Sequence, residues 1–176
     1  MKIALCQYRA SDDVDSNLRR VTGVLGSCKA DLAVFPEMFL TSYGGTLDRE
    51  GYDRCVAVMK RAAEESGTDL CIGLPFPDGG RTYNRLLYIS SAGNVFHYDK
   101  MHIAAFPPYD EDFDRGREPR AVKGKEITVG LSVCYDVMFP ELYKGYSLDH
   151  GAGLMIVAAA SKEGSRRYME TVLPAR

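Results

Sequence analysis

Short apolar runs of strand length alternate along this chain with stretches in which apolar residues recur every three or four positions. The first run covers residues 3–8 and is followed by Ser11-Asp12-Asp13, a polar sequence typical of a helix start. After this polar sequence, apolar side chains recur at helical spacing: Val14, Leu18, Val21 and Leu25. The pattern therefore predicts a strand followed by one amphipathic helix.

The same alternation continues along the rest of the chain. Further strands are predicted at residues 32–35, 70–74, 86–90, 95–98, 127–133 and 154–157, and further helices at about 53–65 and from Pro140 to Gly151. The sequence Ser91-Ala92-Gly93-Asn94 separates two of these strands and predicts a β-hairpin. Strands and helices that alternate in this way, with one antiparallel hairpin, indicate an α/β fold with a mixed sheet.

Three side chains that could take part in catalysis directly follow apolar runs. Glu37 comes after a run that Pro36 must end, because proline cannot donate to the ladder of a central strand. Lys100 lies at the end of the second hairpin strand, and Cys134 lies at the end of the run 127–133. A base, a cation and a thiol are the groups needed for acyl transfer through a thioester.

Each of these residues also has an ordinary interpretation. Cys134 precedes a helix start, where backbone N–H groups can stabilise a thiolate or an oxyanion, but free cysteines are commonly buried structural residues. Glu37 in an apolar wall suits a general base that passes the thiol proton to a leaving amine, and it can equally be a solvated carboxylate. Lys100 can supply a fixed positive charge, or be solvated like most lysines at strand ends.

Two neighbouring features remain open at this point. His102 is a second candidate base for Cys134, although a single histidine is more often structural, and an unrelated cysteine-dependent α/β hydrolase could use His102 or His150. The acidic run Asp110-Glu111-Asp112 is expected to be a solvated loop, with one carboxylate able to turn inward.

Composition and charge limit the kinds of molecule that the protein is expected to bind. The formal net charge is −2 and no basic stripe is present, which argues against nucleic acid and favours a small molecule. No apolar run approaches the roughly 20 residues that span a bilayer, and the N-terminus lacks a signal-peptide pattern, so we expect a cytoplasmic protein without membrane contact. The five cysteines are scattered and predict reduced thiols. We therefore expect no disulfide framework, no zinc site and no cofactor.

Together these segments resemble the nitrilase superfamily of carbon–nitrogen hydrolases along the whole chain. The matching segments are Ala4-Leu5-x-Gln7 with Asn17-Leu18, residues 30–37 with Thr41-x-Tyr43, Asn84 and Gly93 with Tyr98-x-Lys100-x-His102, and Cys134-Tyr135-Asp136-x-x-Phe139-Pro140-Glu141. Three motifs in the same order make the resemblance specific. It implies an α-β-β-α sandwich with mixed sheets, as a single domain over residues 1–176.

The resemblance also implies a catalytic triad of Glu37, Lys100 and Cys134. The backbone N–H of Tyr135 is expected to help hold the oxyanion, and Tyr43 is expected to lie at the substrate. The implied reaction is hydrolysis of a small amide through a cysteine thioester, with release of ammonia or an amine. Hydrolysis of a nitrile or an N-carbamoyl compound would use the same residues.

Members of the family often carry a second glutamate after the lysine, which positions the substrate and the attacking groups. Glu111 lies at about the right distance along the chain and is the expected residue, with Asp110 and Asp112 as alternatives. Met138 stands where many relatives have an arginine in the cysteine motif, so a role of that arginine does not carry over.

Relatives of this superfamily continue beyond the position of Arg176. The resemblance therefore implies that part of the second sheet is absent, together with a common subunit contact. Either the chain is a fragment, or something else must cover the exposed sheet edge. We expect a homo-oligomer. The rival hypothesis is a non-catalytic or assembly-dependent relative that keeps the motifs without a completed site.

Overall fold

A computed structural model describes residues 1–104, 110–160 and 166–175. In these ranges the chain forms eight strands and four α-helices. In chain order they are β1 (Ile3–Leu5), α1 (Val14–Ser27), β2 (Leu32–Val34), α2 (Arg49–Ser66), β3 (Asp69–Asp78), β4 (Arg81–Ile89), β5 (Val95–Asp99), β6 (Arg120–Lys123), β7 (Thr128–Val133), α3 (Pro140–Leu148), β8 (Leu154–Ala158) and α4 (Arg166–Val172).

The strands form two sheets, and both are mixed. The first has the order β1-β2-β3-β4-β5, in which β1, β2 and β3 are parallel while β3, β4 and β5 are antiparallel to one another in turn. The second has the order β6-β7-β8, with an antiparallel and then a parallel pair. The hairpin of β4 and β5 lies where the turn sequence predicts it.

Three apolar layers hold the two sheets between helices. Helices α1 and α2 cover the outer face of the first sheet with buried residues such as Val21 and Met59. Between the sheets, Tyr88 of β4 and Leu131 of β7 belong to one buried cluster. Helix α3 covers the outer face of the second sheet, where Tyr146 is fully buried. The predicted α-β-β-α sandwich is therefore confirmed.

The helix starts follow the capping residues. The Asp13 carboxylate accepts hydrogen bonds from the N–H groups of Asp15 and Ser16 at 3.0 and 3.2 Å, so α1 begins where the polar signal predicts. Helix α2 begins before the predicted residue 53, because the Asp48 carboxylate caps it by accepting from Gly51 N at 2.7 Å. Its first two residues, Arg49 and Glu50, are exposed and polar, so they add nothing to the apolar pattern from which the helix is predicted.

Strand β3 is longer than predicted and runs through two prolines, Pro75 and Pro77. The backbone N–H groups of the odd-numbered residues of β3 point toward β2. The hydrogen bond from Gly73 N to Pro36 O at 3.1 Å shows this direction. Paired residues of β2 and β3 extend only as far as Cys71. The two prolines therefore lie beyond the paired segment, where no ladder bond requires the missing N–H.

The sequence pattern misses β6 and α4. Strand β6 has only Ala121 and Val122 between two cations, which is too short for an apolar period to be seen. None of the helices in the described ranges is long and apolar enough to cross a membrane.

Candidate active site

The segments that follow four strands meet at one site. Glu37 comes after β2, Lys100 after β5, Cys134 after β7 and Ala160 after β8. Glu37 and Lys100 are 63 positions apart in the chain, yet their side chains are in contact. The structure therefore brings together the three residues that the sequence singles out.

The Glu37 segment is a tight elbow directly after Pro36. Glu37 is 2% exposed, and the next residue, Met38, has a φ of 52°, a left-handed conformation that is uncommon outside glycine. Strand β3 passes close to the elbow: a Cβ added to Gly73 would lie 2.5 Å from Met38 N and 2.6 Å from Glu37 Cα. Gly73 therefore allows β3 to support the elbow at a distance that no other residue permits.

Gly73→Ala is expected to displace the elbow and to lower the free energy of unfolding by about 1–3 kcal/mol, because the clashing atoms are backbone atoms. Gly23→Ala is the matched control. A Cβ at Gly23, in helix α1, would meet nothing within 4 Å, so this variant should be stabilised by about 0.5–1 kcal/mol. Urea unfolding of both variants measures the difference, and a Gly73→Ala variant as stable as the wild type would contradict the close packing.

Lys100 lies between two carboxylates and is 1% exposed. Its Nζ donates to Glu37 Oε1 at 2.8 Å and to Asp110 Oδ2 at 2.7 Å. Burial acts to lower the pKa of Lys100, but the negative charges of Glu37 and Asp110 outweigh it and raise the pKa. The lysine is therefore a cation at neutral pH.

Further donors hold the Glu37 carboxylate. Asn84 Nδ2 donates to Oε1 at 2.9 Å, and the backbone N–H of Ala160 donates to Oε2 at 3.0 Å. The carbonyl oxygen of Asn84 also accepts from Lys100 N at 2.9 Å, so one residue of β4 contacts both members of the ion pair. These hydrogen bonds compensate the loss of water around the buried charges.

Cys134 begins a short 3₁₀ helix, Cys134–Met138, and has a φ of 45°. Strained backbone of this kind is found most often at functional sites. Burial is the largest of the effects that raise the pKa of Cys134 to about 12; the charge of Glu37 and a hydrogen bond to it add to the shift, and Lys100 opposes it. The resting thiol is therefore protonated at neutral pH, and Glu37 is the charged neighbour with the largest effect on its pKa.

Tyr43 and Phe113 form an aromatic wall beside these groups, with ring centroids 6.4 Å apart and planes at 79°. Burial, followed by the charges of Glu37 and Asp110, raises the pKa of Tyr43, so its hydroxyl remains protonated and can donate to Glu37. Tyr135 follows Cys134 in the 3₁₀ helix, and its ring packs edge-on against Phe139. The part of the Tyr135 N–H in holding an oxyanion stays a prediction.

Asp110, rather than the expected Glu111, lies beside Lys100. Asp110 is 1% exposed, and its Oδ2 also accepts from the backbone N–H of Ala104 at 3.0 Å, whereas Glu111 is exposed. The two side chains differ in direction because neighbouring residues of a turn do not face the same way. Asp110 Oδ1 is buried without a hydrogen-bond partner among the described residues, so it retains accepting capacity beside Lys100.

The ring of His102 contacts Asp136 and Phe139. Its ring Nδ1 lies 2.7 Å from Asp136 Oδ1, and the ring stacks on Phe139 with centroids 3.5 Å apart. The described contacts therefore disfavour the alternative in which His102 is the base for Cys134. In the same ranges, no group of three or more His, Cys, Asp or Glu side chains is arranged to hold a metal ion.

The chain belongs to the carbon–nitrogen hydrolase family, whose sequence profile matches residues 2–173. It is 32% identical to Hydrolase Rv0480c of Mycobacterium tuberculosis over 188 residues, which cover 100% of this chain and 67% of the relative. It is 27% identical to an (R)-stereoselective amidase of a Pseudomonas species over 184 residues, with coverage of 100% and 66%. The chain thus spans about two thirds of the length of these relatives.

The solved structure of an amidase from Nesterenkonia sp. has the same fold. It superposes with a TM-score of 0.86 at 27% identity and covers 99% of this chain and 70% of that chain. A mutant of that amidase carries the acetamide moiety of fluoroacetamide on its active-site cysteine; it superposes with a TM-score of 0.86 at 26% identity and covers 99% of this chain and 70% of that chain. The resemblance to the nitrilase superfamily is therefore confirmed, in fold and in sequence.

Proposed function

We propose that this chain hydrolyses a small amide through a thioester on Cys134. The observation that supports this most directly is the set of contacts made by Glu37. Its buried carboxylate pairs with Lys100 Nζ at 2.8 Å, and it lies close enough to the Cys134 thiol to raise the pKa of that group. A base that contacts both a nucleophile and a fixed cation is the arrangement that covalent acyl transfer requires.

In the acylation step, Glu37 takes the thiol proton as Cys134 Sγ attacks the carbonyl carbon of the amide. The carbonyl electron pair moves to oxygen. Lys100 has three N–H donors, of which two bind Glu37 and Asp110, so the third can stabilise the oxyanion together with the N–H of Tyr135. When the C–N bond breaks, Glu37 returns the proton to the leaving nitrogen, and ammonia or an amine departs.

In the deacylation step, water attacks the thioester carbonyl and Glu37 takes one of its protons. The C–S bond breaks, the proton passes to Cys134 Sγ, and a carboxylic acid is released. Asp110 Oδ1 can accept a hydrogen bond from the substrate N–H in the first step and from water in the second, since it has no other partner among the described residues.

The relatives support an amide over a nitrile as the substrate. The Pseudomonas relative is an amidase, and the Nesterenkonia enzyme is an amidase with a cysteine that accepts an acetamide moiety. Hydrolysis of a nitrile through a thioimidate, or of an N-carbamoyl compound, uses the same side chains and is the nearest alternative. A non-catalytic or assembly-dependent relative is the alternative from a different class.

Ammonia release from a panel of small amides, nitriles and N-carbamoyl compounds tests the proposal. We expect amides to be hydrolysed and the release to depend on Cys134. Release from nitriles alone would assign the same site to a different substrate. A folded chain that releases no ammonia from any member of the panel, and forms no covalent adduct, would favour the non-catalytic alternative.

The assignment of Asp110 has its own test. Asp110→Asn keeps an oxygen for Lys100 but replaces the buried acceptor Oδ1 with an NH₂ donor, which repels a substrate N–H. We therefore expect kcat to fall about 10- to 100-fold, the size of a lost hydrogen bond to a charged group. Glu111→Gln is the comparison, because this exposed side chain keeps its length and loses only its charge. A larger loss in kcat for Glu111→Gln than for Asp110→Asn would return the role to Glu111.

A further inference from the structure

Asp136 is a fully buried carboxylate two residues after the nucleophile, and the proposed mechanism makes no use of it. Its Oδ1 accepts from the backbone N–H of His102 at 3.0 Å and contacts the ring Nδ1 of the same residue at 2.7 Å. Its Oδ2 accepts from the Tyr98 hydroxyl at 2.8 Å and from Val133 N at 2.9 Å. Four hydrogen bonds are about as many as one carboxylate can accept.

The partners of Asp136 come from the two segments that carry the cation and the nucleophile. Tyr98 and His102 stand on either side of Lys100 in the chain, and Val133 directly precedes Cys134. The carboxylate therefore joins the end of β5 in the first sheet to the end of β7 in the second. Apolar packing between sheets is non-directional, whereas these hydrogen bonds fix a distance and an orientation.

Every partner must act as a donor for this arrangement to hold. An ionised carboxylate only accepts, so the ring Nδ1 of His102 carries a proton. Burial and the charge of Asp136 raise the pKa of Tyr98, so its hydroxyl also remains protonated. The Val133 N–H lies next to Cys134, whose φ of 45° is a strained conformation that surrounding contacts must maintain.

We infer that Asp136 is a positioning residue that sets the distance and orientation between Lys100 and Cys134. The inference rests on the proposed function, since it concerns how that cation and that nucleophile are presented to the substrate. Asp136 acts through hydrogen bonds to His102, Tyr98 and Val133, and it does not itself reach the reacting atoms.

Asp136→Asn tests this role with almost no change in shape. Asparagine has one accepting oxygen and one NH₂ group in place of the two accepting oxygens. Whichever way the amide turns, the backbone N–H of either His102 or Val133 loses its acceptor. We expect kcat to fall about a hundredfold, as for a misplacement of about 1 Å, with a much smaller change in KM.

Asp69 provides a matched control in the same chain. It is 2% exposed and accepts from the Tyr88 hydroxyl at 2.6 Å and from Ser91 N and Oγ, both at 2.8 Å. These contacts lie at the start of β3 and in the hairpin turn, away from the cluster around Lys100. Asp69→Asn should therefore lower the melting temperature to a similar extent as Asp136→Asn while leaving kcat within about twofold of the wild type.

The measurements are kcat and KM with an amide, the melting temperature, and the rate at which iodoacetamide alkylates Cys134, followed on the Cys134 peptide by mass spectrometry. Alkylation reports the presentation of the thiol without requiring turnover. We expect it to slow in Asp136→Asn and not in Asp69→Asn. Equal effects of the two variants on the alkylation rate, or no effect of Asp136→Asn, would overturn the inference.

One outcome separates this inference from the proposed function. Alkylation that depends on Asp136 in a chain that hydrolyses no amide would support the positioning role and overturn the proposed function.

If Asp136→Asn does not fold, a comparison of Tyr98→Phe with Tyr88→Phe tests the inference instead, since each variant removes one hydroxyl donor from a buried aspartate. We expect about a three- to tenfold slower alkylation for Tyr98→Phe alone. Equal rates in these two variants would overturn the inference.

Discussion

Replacing Cys134 with alanine is expected to abolish amide hydrolysis, with a loss of at least about a thousandfold in kcat. Without the sulfur no thioester can form, and the remaining groups can only stabilise charge or activate water. Alanine suits the test because it removes Sγ and keeps a Cβ. The energetic cost of the positive φ of 45° at residue 134 is therefore the same in the variant as in the wild type. The fold should therefore persist, as circular dichroism can verify.

Mass spectrometry of the intact chain, after incubation with an amide and rapid quenching, measures the covalent intermediate itself. The wild type should gain the mass of the acyl group, and Cys134→Ala should gain none. Cys28→Ala is the matched control, since Cys28 is another partly exposed free thiol and lies just after α1. An acyl adduct that survives in Cys134→Ala and disappears in Cys28→Ala would overturn the assignment of the nucleophile.

Glu37→Gln is expected to have the second largest effect, a loss of about 10²- to 10⁴-fold in the rate of acylation. The pKa of Cys134 is raised to about 12, so almost all of the thiol is protonated near pH 7 and its proton must be removed during attack. Glutamine keeps the shape of Glu37 but cannot accept that proton. The charge of Lys100 would still be compensated by Asp110 at 2.7 Å, which favours a folded variant.

The time course of adduct formation measures this acylation rate, and His102→Asn is the comparison. If His102 were the base, His102→Asn would carry the loss of about a hundredfold or more, and Glu37→Gln would leave acylation nearly intact. The contacts of His102 with Asp136 and Phe139 predict the opposite order. Near wild-type acylation in a folded Glu37→Gln variant would rule out Glu37 as the base.

Sequence patterns located most of the secondary structure, since apolar periods and caps act over a few neighbouring residues. The start of α1 at Val14 follows from Asp13, and the hairpin of β4 and β5 follows from its turn sequence. The pattern was less informative where pairing partners decide the outcome. Strand β3 passes through Pro75 only because β2 has already ended, and neither fact is encoded near the proline itself.

The loop after Lys100 shows where sequence reasoning about the site stopped. Spacing favoured Glu111, whereas the structure places Asp110 beside Lys100. Spacing counts residues, but the direction of a side chain in an irregular loop depends on backbone dihedral angles that the surrounding structure sets. The run of three acidic residues could indicate that a carboxylate turns inward, but not which one.

Other contacts of the site carry no signal in the sequence. The N–H of Ala160 binds Glu37, and any residue except proline could supply this donor. Gly73 gave a weak signal, as a glycine inside an apolar strand, but the close approach of the Glu37 elbow is visible only in the fold. Asp136 lies in the cysteine motif, yet three of its four hydrogen bonds come from Tyr98 and His102, which are far away in the chain.

The sequence by itself determined the α/β class, the order of most strands and helices, and the choice of Glu37, Lys100 and Cys134, because each depends on local pattern or on a recognisable motif. Only the tertiary structure decided which carboxylate pairs with Lys100, which residue the His102 ring contacts, and how Asp136 joins the two sheets. These are contacts between residues far apart in the chain, and they form only when the packing of two sheets brings the strand ends together.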